Sequence, residues 1–239
     1  MTSQLHQTST GVLSATVAEL PDTNRFARWR ADTGITKDGS DFVSSWVDSD
    51  NSHDLAEATN KPLWVDSVIN GQPVVRSDGS NDILSVASGI TQAQPITAVA
   101  ILRQRSWAAN AQLFDGSAAN TFYAQQKGTT PALVHFANGA GTTNSIAGAN
   151  GVPTVGTSSN FFILFSHFDG ASSYQQVGSN AAVSGGNPGT VGLTGSFNMF
   201  AEKGGSGRHS NIDIAEIALY SADPDHTDVL AYALEHYGI

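Results

Sequence analysis

The sequence predicts an all-β domain built as a two-sheet antiparallel sandwich and closed by one short C-terminal helix. Three observations carry that prediction. From Pro95 onward, short β-branched and aromatic runs alternate with Gly- and Asn-rich turns at the spacing of a meander. Only the last segment has helical periodicity, which disfavours an alternating α/β layout. The stretch Ser210-Asn211-Ile212-Asp213-Ile214-Ala215-Glu216-Ile217-Ala218-Leu219-Tyr220 reads as a core strand around which the rest can be arranged.

In that strand Ile212 and Ile214 share one parity, and Ile217 and Leu219 the other. Side chains alternate along a strand, so the parity change means either burial on both faces or one extra residue. With a bulge near Ala215, all four apolar residues face one side, and Asn211, Asp213 and Glu216 face the other together. The segment Asp223-Pro224-Asp225-His226-Thr227-Asp228 supplies a turn and helix-capping side chains. Val229, Leu230, Ala233 and Leu234 follow at helical spacing, and Tyr237-Gly238-Ile239 ends the chain.

Taken in order, residues 1–20 read as a flexible or partner-docked arm, and Pro21-Asp22 marks the start of one domain over residues 21–239. Phe26 and Trp29 anchor the first element. Val74-Val75-Arg76 and Ile83-Leu84-Ser85-Val86 read as strands flanking the acidic turn Asp78-Gly79-Ser80-Asn81-Asp82. Further strands are expected at Ile96–Leu102, Gln112–Phe114, Thr121–Gln125, Ala132–Phe136, Asn160–His167, Ser173–Val177, Asn198–Ala201 and Ile212–Tyr220. Gly139–Gly151 and Gly178–Gly195 are expected as long glycine-rich connections.

Composition narrows the function. A chain of 239 residues can bury a substantial core unaided. With 11 Lys and Arg against 21 Asp and Glu, the net charge of −10 argues against a nucleic-acid footprint. Charged residues make up 13%, below the roughly 25% usual for soluble domains, and hydroxyl, amide and small side chains replace them. Without cysteine there is no disulfide framework and no thiolate metal site. The N-terminus lacks the basic and apolar regions of a signal peptide, and no apolar run nears the roughly 20 residues that span a bilayer. Membrane insertion is therefore not expected.

Several segments, in order, resemble the laminin-G-like, concanavalin A-like jelly-roll domains of bacterial and bacteriophage proteins. They are Trp29-Arg30-Ala31-Asp32-Thr33-Gly34-Ile35, Val43-Ser44-Ser45-Trp46-Val47-Asp48, and Ile69-Asn70-Gly71-Gln72-Pro73-Val74-Val75-Arg76-Ser77-Asp78-Gly79-Ser80-Asn81-Asp82. Phe162–Gly170, the Ile212–Tyr220 strand and the closing helix complete the series. The resemblance covers about residues 25–239 and implies a jelly-roll sandwich that binds glycans or protein surfaces. It also assigns Trp29, Trp46 and Trp64 to packing.

Candidate sites follow from both readings. Asn211-x-Asp213-x-x-Glu216 is similar to the Glu-x-Asp-x-x-Glu of laminarinase-type glucanases, whose retaining chemistry needs two carboxyls about 5–5.5 Å apart. Asn211 stands at the nucleophile position and cannot form a glycosyl ester. The expectation is therefore no enzyme, with Asn211, Asp213 and Glu216 contacting ligand or satisfying neighbours. Asp78 and Asp82 bear the hard oxygen donors of a calcium site, against the alternative of a turn whose carboxylates bond backbone amides; no cofactor is required. No His-Glu-x-x-His, Gly-x-Ser-x-Gly or phosphate-loop pattern occurs. Trp107, after a strand and among polar neighbours, is the leading aromatic platform for a sugar face, followed by Tyr123 and Tyr174.

Together these readings predict a virion structural protein of a bacteriophage, as capsid decoration or tail component. Its arm would engage other virion proteins, and its lectin-like domain would meet a cell-surface glycan; a homo-oligomer is compatible. An extracellular location is the alternative to the virion. The rival function is a polysaccharide-cleaving hydrolase or lyase on the same fold, and a third reading is purely structural.

Overall fold

A computed structural model describes residues 19–117, 121–137, 143–155 and 160–239. The strands are β1 (Arg25–Arg30), β2 (Ile35–Lys37), β3 (Val43–Trp46), β4 (Leu55–Ala56), β5 (Leu63–Ile69), β6 (Gln72–Arg76), β7 (Leu84–Gln92) and β8 (Ile96–Gln104). They continue with β9 (Gln112–Asp115), β10 (Tyr123–Gln126), β11 (Leu133–Phe136), β12 (Ser145–Ile146), β13 (Phe162–Phe168), β14 (Tyr174–Val177), β15 (Leu193–Met199) and β16 (Ile212–Tyr220). Helix α1 (His226–Tyr237) closes the chain. One sheet runs β14-β13-β8-β16-β6-β5, with β1 also paired to β16; the other runs β12-β11-β10-β9-β15-β7-β4-β3-β2. All pairings between these strands are antiparallel, so the expected all-β two-sheet architecture is the one observed.

Strand β16 is central to the first sheet. It pairs along one edge with β8, and its register slips between Ile214 and Glu216, a bulge at Ala215. The other edge is shared: β6 pairs at Asp213 and Ile214, and β1 takes over from Glu216 to Tyr220. The handover falls at the bulge, where Ala31 N–H donates to the Ala215 carbonyl at 2.9 Å. Because of the bulge, Ile212, Ile214, Ile217 and Leu219 all join the core between the sheets. Trp29 stacks on Phe197 there at 5.5 Å, and Phe122 packs tilted against Phe168 at 4.1 Å. The indole N–H groups of Trp29, Trp46 and Trp64 donate to the carbonyls of His53, Arg30 and Ala31, which lets these large rings be buried or half-buried without an orphaned donor.

The opposite face of the first sheet carries a second core. Val74, Val99, Ile101, Ile163, Phe165, Ala218 and Tyr220 pack against Val229, Tyr232, Ala233 and Tyr237 of α1. Asp225 caps the helix by accepting from the Thr227 and Asp228 amides, and Gly238 ends it in a left-handed conformation (φ 71°). Leu20, read from sequence as part of the arm, is 3% exposed and belongs to this core. Residues 1–18 of that arm lie outside the described residues.

Two connections differ from expectation. Strand β15 begins at Leu193, inside the stretch expected to be a glycine-rich connection, and its register slips just after Gly195 (φ 91°). A glycine there permits the irregularity, and it also hides the strand from a propensity reading. The two-residue β12 likewise lies within the other expected connection.

Glu216 clamps the helix to the sheet. Its Oε1 accepts from Arg28 Nε at 2.6 Å, and its Oε2 accepts from the hydroxyls of Tyr232 and Tyr237 at 2.7 Å each. Arg28 Nη2 donates to Tyr232 at 3.0 Å and closes the ring. Burial, reinforced by the Glu216 charge, pushes both phenols well above their usual range. Removing one partner of such a pair strands the others in low dielectric. Glu216→Ala should lower stability by about 3–5 kcal/mol, and Tyr237→Phe by about 1–2 kcal/mol. Both are read by urea unfolding, and in Tyr237→Phe the α1 amides should lose hydrogen-exchange protection first.

His135 carries a pH signature. It lies within the sandwich against Phe168, and neither ring nitrogen has a hydrogen-bond partner among the described residues. Burial pushes the imidazole from 6.5 down to about 3. Between those values the unfolded chain holds a proton that the folded chain does not, so this residue makes stability fall as pH drops from about 6.5 towards 3. Urea titrations across that range should show a shallower acid limb for His135→Leu than for the parent.

Candidate functional site

The outer face of β16 holds two carboxylates with different surroundings. Glu216 is 2% exposed under α1, engaged as described, so the expectation that it contacts ligand is corrected: no solvent-facing oxygen remains to meet one. Asp213, 0% exposed, sits among arginines from three positions. Arg76 of β6 donates from Nε and Nη2 to its two oxygens at 2.7 and 3.1 Å. Arg103 of β8 reaches Oδ2 with Nε at 2.7 Å and Nη2 at 2.6 Å. These two forks compensate the carboxylate, and the geometry is set by register: Asp213 lies opposite Arg76 on one side and Arg103 on the other.

Arg105 is the third. Its Nε stands 3.8 Å from Asp213 Oδ1, and its Nη1 donates to Asn211 Oδ1 at 3.0 Å. Its side chain is 35% exposed, the most open of the three. Burial and the like charges of Arg76 and Arg103 push its guanidinium below the ordinary arginine value against the pull of Asp213. The cluster thus has three positive groups around one negative group, in a chain of net charge −10.

The local backbone explains why these residues meet. Arg105 and Ser106 donate their amides to the Asn211 carbonyl, folding the turn after β8 onto the start of β16. Ser77, next to Arg76, donates its amide to the Ile212 carbonyl and its hydroxyl to the Ser210 carbonyl at 2.6 Å. Gly79 (φ 80°) lies so close that a Cβ there would stand 2.9 Å from the Asn211 Cβ. Asp78 Oδ1 accepts from the Ser80 amide and Asp82 Oδ2 from the Asp78 amide, which shapes the turn that brings Gly79 in. The acidic segment therefore acts as a turn beside Asn211. Asp82, pushed up to about 6 chiefly by burial, and Asp78 are both engaged by backbone amides, and no group of three metal-ligating side chains converges among the described residues.

The other expected ligand residues are dispersed. Trp107 lies two residues beyond Arg105 in the same turn, half-buried, its indole N–H buried without a partner among the described residues. Tyr123 stacks on its cross-strand neighbour Phe136 at 5.5 Å in the second sheet. Tyr174 stands at the far edge of the first sheet, where its hydroxyl meets Asp223 at 2.6 Å and His226 at 3.0 Å. The structure thus brings together the turn bearing Trp107, Asn211 and Asp213, and leaves Tyr123, Tyr174 and Glu216 elsewhere. Sequence reading missed Arg76, Arg103 and Arg105. The available signal was two arginines, Arg103 and Arg105, at the polar end of an apolar strand.

No protein-family model matches the chain, and no curated protein matches it in sequence. Solved structures of similar architecture include the ligand-binding domain of botulinum neurotoxin serotype D in complex with N-acetylneuraminic acid. That domain has 9% identity and a TM-score of 0.54 over 87% of this chain and 50% of that one. They also include Trypanosoma rangeli sialidase in complex with sialic acid, at 13% identity and a TM-score of 0.49 over 91% of this chain and 34% of the sialidase. The chain thus spans about half and about a third of these proteins, and likeness at such identity speaks to fold alone. The toxin-domain likeness bears out an all-β sandwich, without the specific laminin-G-like assignment.

The expectation of no enzyme is corrected. It rested on one residue, Asn211, standing where one glycosidase mechanism needs a carboxylate. A missing nucleophile excludes that one mechanism and no wider class.

The division of labour around Asp213 has a measurable consequence. Asp213→Ala should cost about 3–5 kcal/mol, because it leaves guanidinium groups crowded without their counter-charge. Arg105→Ala should change stability by only about 0.5 kcal/mol, because Arg76 and Arg103 already compensate the carboxylate. Equal losses in urea unfolding would contradict a surplus role for Arg105.

Proposed function

We propose that this domain binds carbohydrate at the end of the first sheet, around Arg105 and Asn211. The observation that carries the reading is a set of planar polar groups beyond what the fold consumes. The Arg105 guanidinium is largely free of Asp213, and the Asn211 amide nitrogen has no protein partner among the described residues. Both stand on a strand end fixed by the Ser77 and Arg105 backbone bonds, so little ordering cost attends ligand binding. Planar side chains with several fixed donors suit the vicinal oxygens of a sugar. The N-acetylneuraminic acid seen on a toxin domain of similar architecture lends the reading support from fold likeness.

The bacteriophage virion role and the docking of residues 1–20 to other virion proteins rest on sequence resemblance alone; neither structure named above is a virion protein.

The test is a glycan array probed with the full chain, with Asn211→Ala and Arg105→Ala alongside. Selective binding to a subset of glycans, weakened about tenfold or more in both variants, is the expected result. Binding that survives both substitutions would move the site elsewhere, and no binding to any glycan would remove the carbohydrate reading.

A further inference from the structure

We propose that the Arg76–Arg103–Arg105 cluster is an anion subsite that receives the carboxylate of an acidic sugar. This deepens the carbohydrate-binding reading and rests on it. The argument is one of charge and geometry. Asp213 is held by two arginine forks whose four contacts lie between 2.6 and 3.1 Å. A fully buried carboxylate needs compensation of about its own charge, and these two already exceed it.

Arg105 adds a third positive group at 3.8 Å, tethered by a neutral amide. Its one side-chain hydrogen bond among the described residues leaves most of its five N–H donors for solvent or ligand. It is also the most solvent-open member of the cluster. A second carboxylate placed against Arg105 would relieve the mutual repulsion of the guanidinium groups and find a planar fork of matching shape.

Asn211 sets the range of such a ligand. Its carbonyl oxygen holds Arg105 in place, and its amide nitrogen, on the same strand end, is available to a neighbouring hydroxyl or carbonyl. Carboxylate and hydroxyl side by side are the chemistry of uronic and nonulosonic acids. Sulfated sugars share the negative charge and differ in the shape of the anion.

The experiment compares four probes with the full chain by titration calorimetry: sialyllactose, its carboxyl methyl ester, a glucuronic acid-terminated disaccharide and a sulfated lactose. Arg105→Ala and Arg105→Lys are measured in parallel. Because Arg105 is not needed to compensate Asp213, both variants should fold, which thermal unfolding verifies. Binding of at least one carboxylated probe, with a tenfold or greater loss on esterification or in Arg105→Ala and a smaller loss in Arg105→Lys, is the expected result.

Equal binding of acid and ester would overturn the carboxylate subsite while leaving carbohydrate binding intact. Preference for the sulfated probe would overturn the carboxylate assignment in favour of sulfate. Array binding confined to neutral glycans would do the same in favour of an uncharged ligand. Absence of binding to every probe and to the array would overturn both proposals.

Discussion

Two buried carboxylates on one central strand set most of what surrounds them. An ionised side chain removed from water must be met by opposite charge and hydrogen bonds, and neither Asp213 nor Glu216 is more than 2% exposed. The bulge at Ala215 puts both on the face away from the main core, where each gathers a different retinue. Glu216 draws in Arg28 from β1 and two phenols from α1, so the helix is placed by the needs of a carboxylate as well as by its apolar face. Asp213 draws in arginines from β6 and β8, the two strands that flank it.

The two retinues differ in balance, and that difference separates structure from function. Around Glu216, one arginine and two neutral hydroxyls satisfy one carboxylate, and all of it is covered. Around Asp213, three arginines face one carboxylate, and their side chains remain 17–35% exposed. A buried ion pair is weak evidence for stability, since a hydrophobic replacement often serves as well. Retaining a third guanidinium at the rim, where it is repelled by its neighbours, adds no evident stability to the fold.

Much of this was legible in the sequence, and the limits have physical causes. Parity left two readings of β16, burial on both faces or a bulge, and the register slip at Ala215 decides for the bulge. The helix followed from Asp225, the spacing of its apolar residues and Gly238. The segment around Arg76-Ser77-Asp78-Gly79 was visible as a motif, but its purpose was not. It delivers Arg76 to Asp213 and packs Gly79 against Asn211, contacts that span more than a hundred residues of chain and leave no local trace. Arg103 and Arg105 were hidden in the same way, since a strand's polar end looks like any exit into solvent. Strand β15 was obscured because the glycine that permits its irregularity also lowers its apparent strand propensity. Aromatic residues misled most: Tyr123 and Tyr174 were chosen for their type, and type does not say which sheet or edge a ring will occupy.

The sign of the cluster against that of the whole molecule bears on selectivity. At physiological salt, charges more than about 8 Å apart are largely screened, so a bound carboxylate would feel mainly Arg76, Arg103, Arg105 and Asp213. An extended polyanion must also lie against the remaining surface of a chain whose net charge is −10, and would meet repulsion outside the cluster. A local positive surplus on an acidic protein therefore favours a small anionic group over a long negatively charged chain. The same arithmetic that argues against nucleic acid for the molecule as a whole is compatible with anion recognition at this one strand end.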